Sequence, residues 1–321
     1  MGDQSKIEWT DATWNPVTGC TRVSEGCRSC YIERTPAFRI AGRKFAHGTT
    51  GVQLHPDRLD QPLKWKKPRR IFVNSLSDLF HEDVPQEFIV SVYASMIAAW
   101  WHTFQILTKR PTKREFLLKH QIFRRDVAQA AAGLINKMRG GLSYQGTVNL
   151  AAWEAGFARN IHEGVSIEDQ ATADERIPLL LNTPSAVRFV SYEPALGPVD
   201  IKWWLQKKFL APGVLNGRAF VKSGYEKLDW VIAGGESGPG ARPMHPAWAR
   251  SIRDQCQTAG VPFFFKQWGE WAPGDEVDPG TGEGLRFHYW AAPHAPGKMW
   301  RFGKKSAGSM LDGREHKEWP R

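Results

Sequence analysis

Only four cysteines occur in 321 residues, and nowhere does the chain run for about eighteen uninterrupted apolar residues. The missing apolar run argues against a membrane-spanning helix. The amino-terminal MGDQSKIEWT lacks the basic-then-apolar order of a secretory signal, and Lys6 stands where a myristoylation motif wants Ser or Thr. Internal repeats are missing, as are low-complexity tracts long enough to imply a disordered domain. These absences point to a cytoplasmic chain with no membrane role. Four cysteines in a reducing compartment matter through their spacing, and three of the four fall within eleven residues, a ligand pattern before it is a disulfide pattern.

What is present is ordinary for a globular protein: 41% apolar and 24% charged residues, enough to bury a full core. One barrel-sized domain with insertions fits this length as well as two domains would. The formal charge of +10 favours an acidic partner, most commonly nucleic acid, although charge alone is equally compatible with a merely basic surface.

Short apolar, β-rich runs recur with helical or irregular stretches between them, the pattern of a parallel sheet covered by crossover helices. Strands are expected at Ile71 to Asn74, Phe104 to Thr108, His162 to Ser166, Val187 to Ser191, Trp230 to Gly234 and Pro262 to Lys266, with a seventh near Ile7 to Trp9. Their continuous apolar character implies burial on both faces. Pro85 to Trp101 and Pro246 to Thr258 read as helices, the second closed by Gly260. The fold class is therefore α/β, a complete or partial parallel β/α barrel over residues 1–270. Insertions are expected at about 120–160 and 200–227, and residues 271–321 read as an irregular extension packed on or capping the barrel.

The triad Cys20, Cys27 and Cys30 lies among the turn formers Asn15-Pro16, Gly19, Ser24 and Gly26. Thiolates suit zinc, copper(I) and iron–sulfur clusters, and two cysteines two residues apart can reach one centre from a single turn. A structural zinc site wants a fourth protein ligand, and the nearest histidines in sequence are His47 and His55. A cubane cluster can leave one iron without a protein ligand. Cys256 falls late in the helix leading into the strand at Pro262, at the amino end of a parallel barrel, and reads as a core residue.

Active sites of such barrels gather at the carboxyl ends of the strands. Those positions hold Ser75 and Asp78; Thr108, Lys109 and Arg110; Ser166 and Glu168; Tyr192 and Glu193; Glu236 and Ser237; and Lys266 and Gln267. Such charges suit a zwitterionic, partly anionic ligand, or else salt bridges that close the barrel on themselves. Asp78, Glu193, Glu236 and Lys266 are the catalytic candidates. Gly234 and Gly235 could bring amides to an anion or could form a tight turn; they lack the spacing and lysine of a phosphate loop. The densest basic cluster, Lys64, Trp65, Lys66, Lys67, Arg69 and Arg70, reads as a nucleic-acid contact or as a solvated edge before a strand.

The cysteine loop, closed by Tyr31, resembles the cluster loop of radical S-adenosylmethionine enzymes. A closer resemblance is to a phage and prokaryotic family of unknown function with a three-cysteine motif. It is carried by Ile7-Glu8-Trp9-Thr10-Asp11-Ala12-Thr13-Trp14-Asn15-Pro16-Val17-Thr18-Gly19-Cys20, Gly26-Cys27 and Cys30-Tyr31. Further matches are Ser77 to His81, Leu107 to Pro111, Gly164 to Ser166, Glu193 to Pro198, Gly234 to Gly238 and Phe265 to Gly269. The resemblance to radical enzymes implies a 4Fe-4S cluster on Cys20, Cys27 and Cys30, with S-adenosylmethionine chelated at the open iron. A reducing electron-donor protein would drive its cleavage to a hydrogen-abstracting radical. Ser75, Asp78, Ser166, Glu193, Gly234, Gly235, Glu236 and Lys266 are the expected cofactor contacts. The sequence departs from the usual radical-enzyme pattern in two ways: six residues separate its first two cysteines, and its Gly-Gly-Glu stretch follows a late strand.

The leading expectation is an enzyme that modifies a nucleic acid or nucleotide, or acts as a lesion lyase on one. Two alternatives share the same cysteines: a non-catalytic nucleic-acid-binding protein stapled by zinc or an iron–sulfur cluster, and an electron-transfer or partner-docking subunit.

Overall fold

The computed structural model describes residues 4–138, 144–206, 214–215, 218–219, 227–278, 280, 285–290 and 297–320. Most of residues 207–226, within the second expected insertion, all of 139–143 and 291–296, and 279–284 except 280 therefore lie outside the described residues. The α/β class holds. Seven strands form one parallel-stranded sheet, numbered here β1 (Ala12–Thr13), β2 (Arg70–Val73), β3 (Thr103–Thr108), β4 (Ile161–Ile167), β5 (Val187–Tyr192), β6 (Trp230–Gly234) and β7 (Phe263–Gln267). They follow one another in chain order, with β1 and β7 at the two ends, so the barrel is partial rather than complete. No helix among the described residues is long and apolar enough to cross a membrane.

The chain divides into two compact units. The first comprises Met1–Ser166, Thr183–Val187 and Gly238–Gly240. In it β1, β2, β3 and β4 pair in parallel, Ala12 opposite Ile71, Ile71 opposite Phe104, and Phe104 opposite Ile161. Ile71 and Val73 on one face and Phe72 on the other are buried, as are Phe104, Gln105 and Ile106, as strands covered on both faces require. The first strand is two residues long and falls a few positions after the expected Ile7 to Trp9. Trp9 instead packs its ring on Phe72 at 4.7 Å.

Helix α1 (Gln86–Ala98) connects β2 to β3. Pro85, extended at its N-cap, sets the start, and Ile89, Val92, Tyr93 and Met96 form the buried stripe at helical spacing. Between β3 and β4 the chain forms α2 (Pro111–Lys119), α3 (Gln121–Lys137) and α4 (Tyr144–Ala155). Phe123, Val127, Ala131 and Ile135, four apart, turn one face of α3 into the core. A buried polar group ties these layers: Tyr93 donates to Glu163 on β4 at 2.7 Å, and Arg114 of α2 donates to the Gly164 carbonyl at 2.8 Å.

The second unit comprises Ile167–Asn182, Arg188–Ser237 and Ala241–Arg321. Here β6 lies between β5 and β7, with Val231 opposite both Val190 and Phe263. Helix α5 (Gln170–Leu181) opens on a capping box between Asp169 and Thr172. Helix α6 (Pro246–Ala259) starts with proline and ends at Gly260 in the left-handed conformation; Cys256 sits fully buried near its end, its thiol pushed well up by burial. The segment from Met310 to Trp319 runs along the exposed edge of β7: Phe265 N–H donates to His316 O at 2.8 Å, and the Trp319 ring lies 5.0 Å from Trp230. A sheet edge covered in this way cannot recruit another strand.

His162 on β4 gives the fold a pH signature. Burial pushes its imidazole down to about 4, whereas the unfolded chain protonates near 6.5. Between those values the unfolded state binds the extra proton, so stability is full above pH 6.5 and falls as pH drops toward 4. Chemical denaturation of His162→Phe across pH 4 to 7 should show that loss reduced by about 1–3 kcal/mol. An acid limb unchanged from the wild type would rule this source out.

Candidate metal centre

The cysteine loop is built on the carboxyl end of β2. Asn15 is the bracket: its Oδ1 accepts the Leu76 N–H at 2.8 Å and its amide meets Ser75 Oγ at 3.1 Å. Gly19 N–H donates to the Leu76 carbonyl at 2.8 Å, and Ser77 Oγ donates to Val17 O at 2.9 Å. Gly19 has φ +94, and a Cβ there would lie 1.6 Å from the Gly51 carbonyl oxygen, so no other residue fits. Cys20 is then held from both sides of its peptide, donating N–H to Thr50 Oγ1 at 2.9 Å and accepting Thr50 N–H at 3.0 Å. A 3₁₀ turn at Glu25–Cys27, followed by a Cys30 N–H bond to Cys27 O at 3.3 Å, brings the second and third cysteines into one turn. The Tyr31 hydroxyl closes the loop onto the Ser75 carbonyl.

Two consecutive cations from the end of β3 attend the thiols. Arg110, buried, donates to Cys20 Sγ at 3.7 Å, to Thr21 O at 3.0 Å and to Glu82 at 3.0 and 3.1 Å. Its Nη1 also lies 3.4 Å from Asp78. Asp78 is itself fully engaged, accepting Thr108 Oγ1 at 2.7 and 2.9 Å and the N–H groups of Lys109 and Phe80, each at 3.0 Å.

The thiols ionise unequally. Burial, with the Asp78 charge, pushes Cys20 up to about 12 against the pull of Arg110. Burial likewise raises Cys30, helped by the charge of Cys27. At Cys27 burial acts upward too, but the charge of Lys109 and backbone hydrogen bonds prevail and lower it.

All three cysteines are free, half-buried thiols. Binding a metal would therefore release protons. Cys27 bears electrostatically on both other cysteines, yet no group of three or more His, Cys, Asp or Glu among the described residues is arranged to hold a single ion. Three cysteine thiols on one loop are a donor set that soft metal centres, zinc and iron–sulfur clusters alike, accept.

Of the other sequence candidates in this unit, Ser75 is half-buried beside Asn15 and Ser166 is buried on β4. The basic stretch is at the opposite end of β2 from the cysteine loop, since Arg70 opens the strand whose far end the loop packs on. Arg70 forms a two-pronged pair with Asp11, at 2.7 and 3.1 Å, and Lys64 pairs with Asp60 at 2.7 Å. Trp65 is half-buried, under the Arg69 guanidinium at 5.2 Å and edge-on to His102 at 6.1 Å, so its ring serves packing. Lys66 and Lys67 are exposed, and Lys66 joins Lys64, Leu63, Leu134 and Lys137 around a groove of about 430 Å³.

In the second unit the candidate charges are paired. Lys266 donates to Glu193 at 2.6 Å, and Glu236 accepts both the side chain of Arg242, at 2.8 and 3.0 Å, and its backbone N–H at 2.8 Å. Glu168, buried, pairs with Arg176 at 3.1 Å. Neither arginine was distinguished by sequence, although each lies within eight residues of its carboxylate. Gly235 spends its N–H on Gln267 O at 2.9 Å, and a Cβ there would fall 1.9 Å from the Trp268 carbonyl oxygen. This glycine thus permits close backbone packing, and its N–H is committed to the β7 end.

The sequence matches over residues 4–320 the family described as "Protein of unknown function (DUF5131)", and the chain belongs to that family. No match is found among curated proteins. Among solved structures the chain is similar to a spore photoproduct lyase complexed with dinucleoside spore photoproduct, at 12% identity and TM-score 0.41, covering 94% of this chain and 71% of that one. It is also similar to a mutant of that lyase with bound AdoMet and dinucleoside spore photoproduct, at 10% identity and TM-score 0.38, covering 92% and 68%.

Proposed function

We propose that this chain is an iron–sulfur enzyme of the radical S-adenosylmethionine kind, acting on a nucleic acid or nucleotide by modification or lesion cleavage. The observation that carries the reading is the cysteine loop: three thiols, tied to the carboxyl end of a parallel strand, with a buried arginine bonded to one and a lysine charge acting on another. Cys20, Cys27 and Cys30 would hold a 4Fe-4S cluster, leaving its fourth iron open. The cluster, when loaded and reduced by a donor protein, would supply one electron to S-adenosylmethionine.

In the second unit, the Glu193–Lys266 and Glu236–Arg242 pairs would take a zwitterionic ligand only by exchanging the bonds they make to each other. Asp78 serves the loop itself. The phage setting and the three-cysteine motif of the sequence resemblance belong to this proposal, as does a cytoplasmic location, where free thiols persist. Lys66 and Lys67, exposed and at the far end of β2 from the thiols, would meet phosphates as an anchor remote from the cluster.

Anaerobically purified protein is expected to contain about four irons and four sulfides per chain, lost in the Cys20→Ala, Cys27→Ala, Cys30→Ala triple variant. One tightly held zinc without sulfide would sink the radical reading in favour of a metal-stapled binding protein. For the anchor, Lys66→Ala with Lys67→Ala should weaken binding to DNA or RNA uniformly across sequences. It should also reduce the slope of log affinity against log salt by about 2. An unchanged slope would remove these lysines from the interface.

A further inference from the structure

We infer that Arg110 is a positioning residue for the cluster, donating to the Cys20 sulfur and raising the readiness of the cluster to accept an electron, with Asp78 as the opposing charge that holds it there. This inference rests on the iron–sulfur reading above.

The geometry is local and specific. Arg110 precedes Pro111, which opens α2, and a residue before proline is kept out of the helical conformation; its φ and ψ are −121° and 59°. Thr108 Oγ1 fixes the turn by accepting the Arg110 N–H at 2.8 Å while donating to Asp78. The guanidinium then has a partner on each nitrogen: Glu82 on Nε, Cys20 Sγ and Asp78 on Nη1, and the Thr21 carbonyl on Nη2.

The arginine side chain is 6% exposed and that of Asp78 7%, so this charge pair is poorly screened by solvent. A planar fork with a partner on every nitrogen is pre-organised as an ammonium is not. The charge of the neighbouring Lys109 acts on both Cys27 and Cys30.

Reduction adds one negative charge to an iron–sulfur cluster. A hydrogen bond to a ligating sulfur and a nearby cation both favour that added charge, and a nearby carboxylate opposes it. Arg110 and Asp78 therefore act on the cluster with opposite signs while depending on each other for position.

The test is a potentiometric titration of the reconstituted cluster, with one electron per cluster supplied by dithionite and the reduced form followed by electron paramagnetic resonance. Wild type is compared with Arg110→Gln, Arg110→Lys and Asp78→Asn, and iron and sulfide are assayed in each. The midpoint is expected to move to more negative values in Arg110→Gln, to more positive values in Asp78→Asn, and to lie between wild type and Arg110→Gln in Arg110→Lys. Iron lost from Arg110→Gln but kept by Arg110→Lys would also support the assignment, because the cation is then what retains the cluster.

A merely structural role would displace Arg110→Gln and Asp78→Asn in the same direction or not at all, and either result would overturn the inference. So would loss of iron from both arginine variants. A wild-type chain that takes up no iron or sulfide would overturn the proposed function along with it.

Discussion

The carboxylate of Asp78 is the contact on which the rest of the first unit's site depends. Buried at the carboxyl end of β2, it needs several donors to offset its lost hydration, and it takes them from the Thr108 hydroxyl, the Phe80 and Lys109 amides and the Arg110 guanidinium. Meeting that requirement draws the end of β3 against the end of β2. It also delivers Lys109 and Arg110 to the cysteine loop, which Asn15 and Gly19 hold on the same strand end. The sulfurs, the cations and the carboxylate thus form one electrostatic unit, in which removing a charge leaves its partner buried and uncompensated.

The strands were legible because each fully buried strand is a run of apolar residues bounded by turn formers, and β2 through β7 lie within a residue or two of their expected positions. The first strand was displaced because two residues carry no pattern, and the tryptophan that suggested strand at residue 9 is buried for a different reason, against Phe72. In the Ala- and Gln-rich stretch after residue 120, expected as an insertion, apolar residues four apart form a long helix packed into the first unit's core.

The site was legible in its cysteines and much less so in its charges. Arg110 stood among the strand-end residues, but its value comes from Asp78 and Cys20, 32 and 90 positions away in sequence. Arg242 and Arg176 fell outside the strand ends altogether, and only the folded loops and helix bring them back to Glu236 and Glu168. Trp65 among lysines suggested base stacking; its burial beside His102, which arrives from the start of β3, could not be read from the stretch itself.

The central claim is that three cysteines leave one iron of a cubane open for S-adenosylmethionine. Electron paramagnetic resonance of the dithionite-reduced protein, recorded with and without S-adenosylmethionine, tests it most directly. The account predicts a signal from a reduced 4Fe-4S cluster whose line shape changes when S-adenosylmethionine is added. A cluster signal that the cofactor leaves untouched would contradict it.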